Sequence, residues 1–350
     1  MSHGKFVISL DFEMFWGVED TQSIAGYGRN VQGEWQAIPR MLARFRAHGV
    51  RATWATVGAI MCRDYREWRT RRRPGTRTAA APGACADLED ALVRQHPTLF
   101  FARPLVERIL ATDGQELATH TYSHFYCRDK GATPEGFVDD LARAGNLAAE
   151  MGACFRSIVF PRNQISREFL AVLPAAGIRV YRGNAQHWLY RDGDAVPGGM
   201  AGRIVRFADA CVPLSGSCCR RELVDGALVN VPASAFLYAW SALARPLMAL
   251  RLRRIKQGMT EAARSGALFH LWWHPHNFGI NLGANLAMLE EILLHYRALA
   301  DTFGMTSQCM GAFAGMADAQ AAPPPAPPRQ QFSCLAQAGA LSAFFREGGA

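Results

Sequence analysis

A chain of 350 residues, 49% of them hydrophobic, is long enough to bury a full core. Its nine cysteines contain no C-x-x-C pair and include the adjacent Cys218 and Cys219, which excludes a disulfide framework and fits a reducing compartment. The net charge of +8 does not indicate nucleic-acid binding. Seven arginines fall between Arg63 and Arg77 against only Asp64 and Glu67, and no nucleic-acid module pattern is present.

Residues 6–10 are a continuous apolar run, Phe6-Val7-Ile8-Ser9-Leu10, and predict a buried first strand. The run is too short, and too soon broken by Asp11, for a signal peptide, so a cytoplasmic location is expected. Residues 34–48 predict a helix with Trp35, Ile38, Leu42 and Phe45 on one face and Gly49 as its stop. Residues 51–58 predict a second strand. The arginine-rich stretch then opens a surface insertion over about 63–87, a solvated face or a contact for phosphate or an anionic membrane.

Residues 103–113 predict a helix with Pro104 in its first turn, and 116–119 a short strand. Thr133 caps a helix that ends near Gly152. A strand at 157–160, a helix at 166–176 and a strand at 178–181 follow. From 182 to 231 the pattern is loose, with extended pieces at 203–207 and 227–231. A long helix at 241–265, a strand at 267–273, a helix at 285–303 and a strand at 305–310 complete the series. Residues 226–244 carry no charge, but Asn230, Pro232, Ser234 and Ser241 interrupt them, which argues against a membrane span. The proline run at 323–328 ends the pattern, so the expected division is a barrel over 1–315 and a Pro/Ala-rich tail over 316–350. Alternating strands and helices imply parallel strands with right-handed crossovers, and seven or eight of them suit a barrel.

Four polar clusters stand at strand ends, where such a barrel gathers its chemistry. Asp11 and Glu13, spaced i and i+2, point to one side if the strand continues, and their burial demands a cation or a base partner, with an arginine in a structural ion pair as the alternative. His120 and His124 flank Thr121-Tyr122-Ser123, a polar setting that favours metal binding over a core role. Pro161-Arg162-Asn163 offers an arginine that could orient a carboxylate or hold an anion. His270, His274 and His276 crowd the last of these strand ends. His274 is the best placed, His270 lies deeper, and His276 is ambiguous.

With these motifs the chain resembles the polysaccharide deacetylase (NodB-homology, carbohydrate esterase family 4-like) family over roughly residues 5 to 312. His120-Thr121-Tyr122-Ser123-His124 matches the family's His-Ser/Thr-x-x-His motif. Ser9-Leu10-Asp11-Phe12-Glu13 stands in place of Thr-Phe-Asp-Asp-Gly, Pro161-Arg162-Asn163 near the arginine motif, and Leu271-Trp272-Trp273-His274 at the late Leu-x-His motif. The resemblance implies an irregular (β/α)7 barrel and a divalent metal, most often zinc, on His120 and His124. It implies Asp11 as general base, His274 as general acid and Arg162 as orienter of the base. Phe12 occupies the position of the family's third ligand and cannot coordinate. Glu13 is then the substitute, unless Asp11 is the ligand and Glu13 the base.

The activity implied is removal of an N-acetyl group from an amino sugar of a surface-polysaccharide or glycolipid precursor. The alternatives are another C–N hydrolase on the same barrel, such as a lipid-linked aminosugar deformylase or a metal-free amidohydrolase, and an inactive module that binds glycan or protein. Trp16, Trp188, Trp272 and Trp273 are candidates to stack on a sugar ring. Residues 236–256, apolar and then basic at Arg245, Arg251, Arg253, Arg254 and Lys256, suit either an ordinary outer helix or peripheral contact with the inner membrane.

Overall fold

The computed structural model describes residues 3–71, 85–185 and 216–316, together with residues 205, 208, 209 and 211. Its central strand β1 (Lys5–Phe12) is buried along nearly its whole length. Strand pleating sends Phe6, Ile8, Leu10 and Phe12 to one face, where they join the large core shared with the helices. Val7, Ser9, Asp11 and then Glu13 follow the opposite face. Phe12 packs edge-on against Trp54, so it serves the helix-facing core while its two acidic neighbours serve the interior.

Parallel partners continue the sheet: β2 (Ala52–Thr56), β3 (Gln115–Thr119), β4 (Ser157–Ile158) and β5 (Val180–Tyr181). A hairpin of β6 (Leu223–Asp225) and β7 (Leu228–Asn230) adds to β5 through β7 and contains the antiparallel pair of the sheet. On the other side β9 (Leu268–Trp273) lies along β1, and β8 (Ala235–Phe236) lies along β9. The order is β6-β7-β5-β4-β3-β2-β1-β9-β8, and β10 (Thr306–Gln308) pairs with the first residues of β1.

The sheet curls strongly. Four strand spacings separate β5 from β1, roughly 19 Å on a flat sheet, yet Arg182, the residue after β5, touches Asp11 at 2.6 Å. Backbone bonds between Arg220 and Leu268 bring the segment before β6 across to β9. The result is an incompletely closed barrel with helices outside: the alternation predicts the barrel, and the family resemblance its irregularity.

The described helices are α1 (Ile24–Gln32), α2 (Glu34–Ala47), α3 (Tyr65–Arg71), α4 (Cys85–Gln95), α5 (Pro97–Phe100), α6 (Arg103–Leu110), α7 (Pro134–Glu150), α8 (Arg167–Val172), α9 (Arg245–Ser265) and α10 (Leu282–Phe303). Thr133 caps α7 as expected, accepting from the Gly136 N–H. The sequence pattern misses α1, whose glycines blur its apolar stripe, the helices α4 and α5 that follow the basic insertion, and the short strands β6 and β8. Part of the basic insertion is helix α3, where Arg69 pairs with Asp90 and Arg71 with Glu67 and Glu150. Arg72, Arg73 and Arg77, the extended piece at 203–207 apart from residue 205, and the tail beyond Met316 lie outside the described residues.

The bottom of the barrel is plugged. Val7, Ala55, Ala118, Val159, Val180, Val229 and Leu268 point inward and pack on Met310 and Phe313. Glu116 fastens the plug by accepting bonds from Thr53 Oγ1 (2.8 Å), Ser157 Oγ (2.6 Å) and the Gly311 N–H (2.8 Å). Glu116→Ala leaves these buried donors unmet and is expected to cost about 1–3 kcal/mol in denaturant unfolding. The same variant should keep the mouth chemistry, because apolar side chains separate the plug from the opposite end.

Candidate metal centre at the barrel mouth

Glu13 stands one residue beyond β1, and the chain turns sharply there, with Met14 at φ 48°. Gly17 makes room for its carboxylate: a Cβ on Gly17 would lie 2.0 Å from Glu13 Cδ. His120 follows β3 directly, and the loop behind it is held tightly. Thr121 (φ 64°) and His124 (φ 57°) adopt left-handed backbone, a costly conformation that needs external support. Buried Asp140 of α7 gives that support by accepting from Tyr122 N–H (2.5 Å), Ser123 N–H and Ser123 Oγ (2.6 Å). The two imidazoles therefore converge from a loop, not a helix, with ring centres 5.0 Å apart.

Their tautomers follow from their outer partners. His120 Nδ1 donates to the Val159 carbonyl at 2.8 Å, which leaves Nε2 as a lone pair. His124 Nδ1 meets Tyr126 Oη at 3.2 Å, and the Tyr126 hydroxyl donates to Asp20 at 3.1 Å. Nδ1 of His124 is thus the donor, and its Nε2 too presents a lone pair. Both Nε2 atoms face Glu13 Oε2, at 3.5 Å for His120 and 3.2 Å for His124. Glu13, His120 and His124 bring one donor atom each within 4.8 Å of one another. Two imidazole nitrogens and one carboxylate oxygen, all buried, fit a zinc-class divalent cation.

The other carboxylate oxygen has different company. His276 Nε2 lies 3.3 Å from Glu13 Oε1, and its Nδ1 is 2.8 Å from the Tyr27 hydroxyl. Burial pushes the Tyr27 phenol up to about 12, with Glu34 and Glu13 adding to it, so the hydroxyl keeps its proton. With Nδ1 accepting from Tyr27, His276 Nε2–H donates to Glu13 and orients it. Burial opposes the charge on Glu13, but His274, the flanking imidazoles of His120 and His124 and the hydrogen bond from His276 outweigh it. The carboxyl is held well below its usual range.

Two variants test this support. Tyr126→Phe removes the acceptor of His124 Nδ1–H and is expected to weaken metal affinity about 10–100-fold in chelator competition. Gly17→Ala should displace the Glu13 carboxylate with a similar loss, while the thermal unfolding of the metal-free chain changes little.

Asp11 sits beside this cluster in a salt bridge of its own. Arg182 grips it in two bonds of 2.6 and 2.7 Å, and also donates to Ser9 Oγ (3.0 Å) and Asn163 Oδ1 (2.9 Å). Its guanidinium lies 4.1 Å from the centre of the Trp272 ring. Burial raises the Asp11 carboxyl, yet Arg182 more than offsets this, and the group is held below its usual value. Underneath, His270 Nε2 bonds Ser9 Oγ at 2.8 Å and Nδ1 bonds the Val231 carbonyl. Burial and the Arg182 charge push its imidazole down to about 3, so His270 is neutral.

His274 completes the group. Its Nε2 lies 3.8 Å from Asp11 Oδ2 and 3.7 Å from Glu13 Oε1, and 24% of its side chain is exposed against 5% for each carboxylate. It therefore stands at the opening while the carboxylates lie below. Burial pushes its imidazole down; Glu13 and Asp11 pull the other way, and His276 and Arg182 add to the effect of burial.

Arg162 is placed differently from the expectation. It pairs with Asp20 and stacks on Tyr126, centroid distance 4.5 Å, so it backs His124 from outside and does not reach Asp11. The guanidinium on Asp11 is that of Arg182. Of the tryptophans, Trp16 is buried on Phe100 and Trp68, and Trp273 on Phe45 and Phe278, so neither offers a free ring face. Trp272 lies at the site, against Phe236 and Arg182. Trp188 lies outside the described residues. Arg182, Tyr27, Asp20 and Asp140 go unnoticed in the sequence. Arg182 alone carried a signal, its position directly after a strand.

No family model and no curated protein matches the chain. Among solved structures it is similar to a protein from Mycobacterium smegmatis described as a polysaccharide deacetylase, with TM-score 0.58 and 15% identity over 95% of this chain and 96% of that one. A polysaccharide deacetylase structure from Pseudomonas aeruginosa PAO1 gives TM-score 0.53 and 11% identity, covering 89% of each chain. A 4-alpha-glucanotransferase from Thermococcus litoralis gives TM-score 0.51 and 10% identity over 90% of this chain but only 40% of its own. These likenesses establish the fold, that of the deacetylase-type barrel. The transferase among them shows that the fold alone does not set the reaction.

Proposed function

We propose that this chain is a metal-dependent hydrolase that removes an N-acetyl group from an amino sugar of a surface-polysaccharide or glycolipid precursor, acting in the cytoplasm. The observation that carries this reading is the juxtaposition of two sets of groups in one mouth. Glu13, His120 and His124 form a metal-type donor set, and Asp11 and His274 abut it. The likeness to deacetylase structures supports the same reading.

Glu13, His120 and His124 would hold the cation, zinc by the character of the donors. A divalent ion there would supply Lewis acidity, acidifying a water from about 15.7 toward 7 and polarising the acyl oxygen. The remaining chemistry belongs to the side chains. Asp11, kept ionised by Arg182, takes the proton of the attacking water. Each Asp11 oxygen still has a lone pair beyond the one engaged by the guanidinium. His274, at the opening, delivers a proton to the departing nitrogen, which is a poor leaving group without it. His276 keeps Glu13 turned toward His120 and His124. Trp272 offers an aromatic face beside His274 for a sugar ring.

The test is acetate release from N-acetylglucosamine oligomers and from nucleotide-linked and lipid-linked N-acetylhexosamines. Activity should disappear on chelation and return on adding zinc. Turnover that is indifferent to chelation would favour a metal-free amidohydrolase.

A further inference from the structure

The basic segment singled out in the sequence becomes helix α9, and its charges have distinct fates. Arg251 is buried over the Tyr238 ring at 4.1 Å, Arg254 faces Asp209 at 3.4 Å, and Lys256 pairs with Glu291 at 2.8 Å. Arg245 and Arg253 form no ion pair among the described residues, and both line a groove of about 1140 Å³ between α9 and α10. The groove is also lined by apolar Trp240, Met248, Leu252, Ala287 and Met288 and, further along, by Lys256, Glu261, Arg264 and Glu291.

Exposed apolar side chains stand near the start of the groove. Leu243 is 99% exposed just ahead of α9, and Leu250 and Ile280 are 42% exposed. Leu243 and Ile280 precede the N-termini of α9 and α10, and both helices start at the end of the barrel where β8 and β9 finish. The same end carries the candidate centre. Trp240 is tied to α10 through its N–H bond to Asn285 Oδ1 (2.7 Å), and Phe236, four residues earlier, packs on His274 at 5.8 Å. Four residues span at most about 14 Å, so the groove begins close to the mouth. No described helix is long and apolar enough to cross a membrane.

We infer that the groove between α9 and α10 binds an acidic phospholipid of a membrane surface. An acyl chain lies along Trp240, Met248 and Met288, the phosphate meets Arg245 and Arg253, and Leu243 enters the headgroup layer. Exposed apolar side chains beside uncompensated arginines are the combination that holds a helix at an anionic interface. The barrel mouth is thereby turned toward the membrane. This assignment stands whether or not the proposed deacetylation is correct.

The test is co-sedimentation of the full chain with phosphatidylglycerol/phosphatidylcholine vesicles and with pure phosphatidylcholine vesicles. Binding to the acidic vesicles is expected, weakening with added salt. Leu243→Asp and the double variant Arg245→Glu/Arg253→Glu should each reduce it at least tenfold. Both alter exposed side chains, and unchanged thermal unfolding would confirm that they fold. Ala287→Trp, which fills the groove, should reduce binding as well. No binding to acidic vesicles would overturn the assignment, as would binding that survives the Arg245/Arg253 or groove-filling changes. Abolition of vesicle binding by millimolar inorganic phosphate at constant ionic strength would also overturn it, indicating a soluble-phosphate site.

Discussion

Arg182→Met is expected to destabilise the fold by about 3–5 kcal/mol, because it strands the Asp11 carboxylate in a buried site. No other group can take over: Ser9, Asn163 and Trp272 meet Asp11 only through this guanidinium, and His274 is 3.8 Å away. The double variant Arg182→Met/Asp11→Leu removes both charges and should recover most of the loss. Denaturant unfolding of the four proteins of the cycle measures the coupling. A single Arg182→Met variant as stable as the wild type would show that the pair does not organise the mouth. Arg182→Lys should recover only part of the stability, since an ammonium cannot reproduce the bidentate grip.

The second large effect concerns turnover. Asp11→Asn and His274→Ala are each expected to lower kcat by about 10²–10⁴, with metal content unchanged. The two losses should not add in the double variant, because residues that act on one reaction coordinate behave as a unit. Asn is close to Asp in shape but leaves the buried Arg182 charge unpaired, so turnover is measured where the variant is shown to be folded. His274 is exposed enough that its removal opens no core cavity. A His274→Ala enzyme with undiminished turnover would remove the imidazole from the proton-transfer scheme.

Most of the fold was legible because its units are locally consistent. Strands β1 and β9 are largely apolar runs that end in polar residues, β2 and β3 are short extended segments placed by the helix stops Gly49 and Gly114 before them, and α2, α7 and α10 carry apolar stripes with recognisable stops. The two-residue strands β4 and β5 are read within the apolar runs 157–160 and 178–181, whereas β8, equally short, has no such run to itself and exists through its neighbour β9.

The site divides along the same line. Asp11, Glu13, His120, His124 and His274 are read from their positions after strands, and the curled sheet brings them together. Tyr27, Asp20 and Asp140 reach the site from sequence-distant segments, and only tertiary contacts reveal them. The exchange of Arg162 for Arg182 has a simple cause. Both follow strands, but Arg182 follows β5 directly and enters the interior, whereas Arg162 lies in a 3₁₀ turn with φ 53° and turns outward to Asp20. Phe12 presents no obstacle to a metal on Glu13, since strand alternation sends it to the helix-facing core.

The most direct measurement is elemental analysis of the purified protein beside His120→Ala, His124→Ala, Glu13→Ala and His276→Ala, each reconstituted with zinc. One ion per chain is predicted in the wild type, lost in the first three variants and retained, with weaker affinity, in His276→Ala. Full occupancy in Glu13→Ala, or no ion in the wild type, would contradict the assignment of Glu13, His120 and His124 as the ligand set.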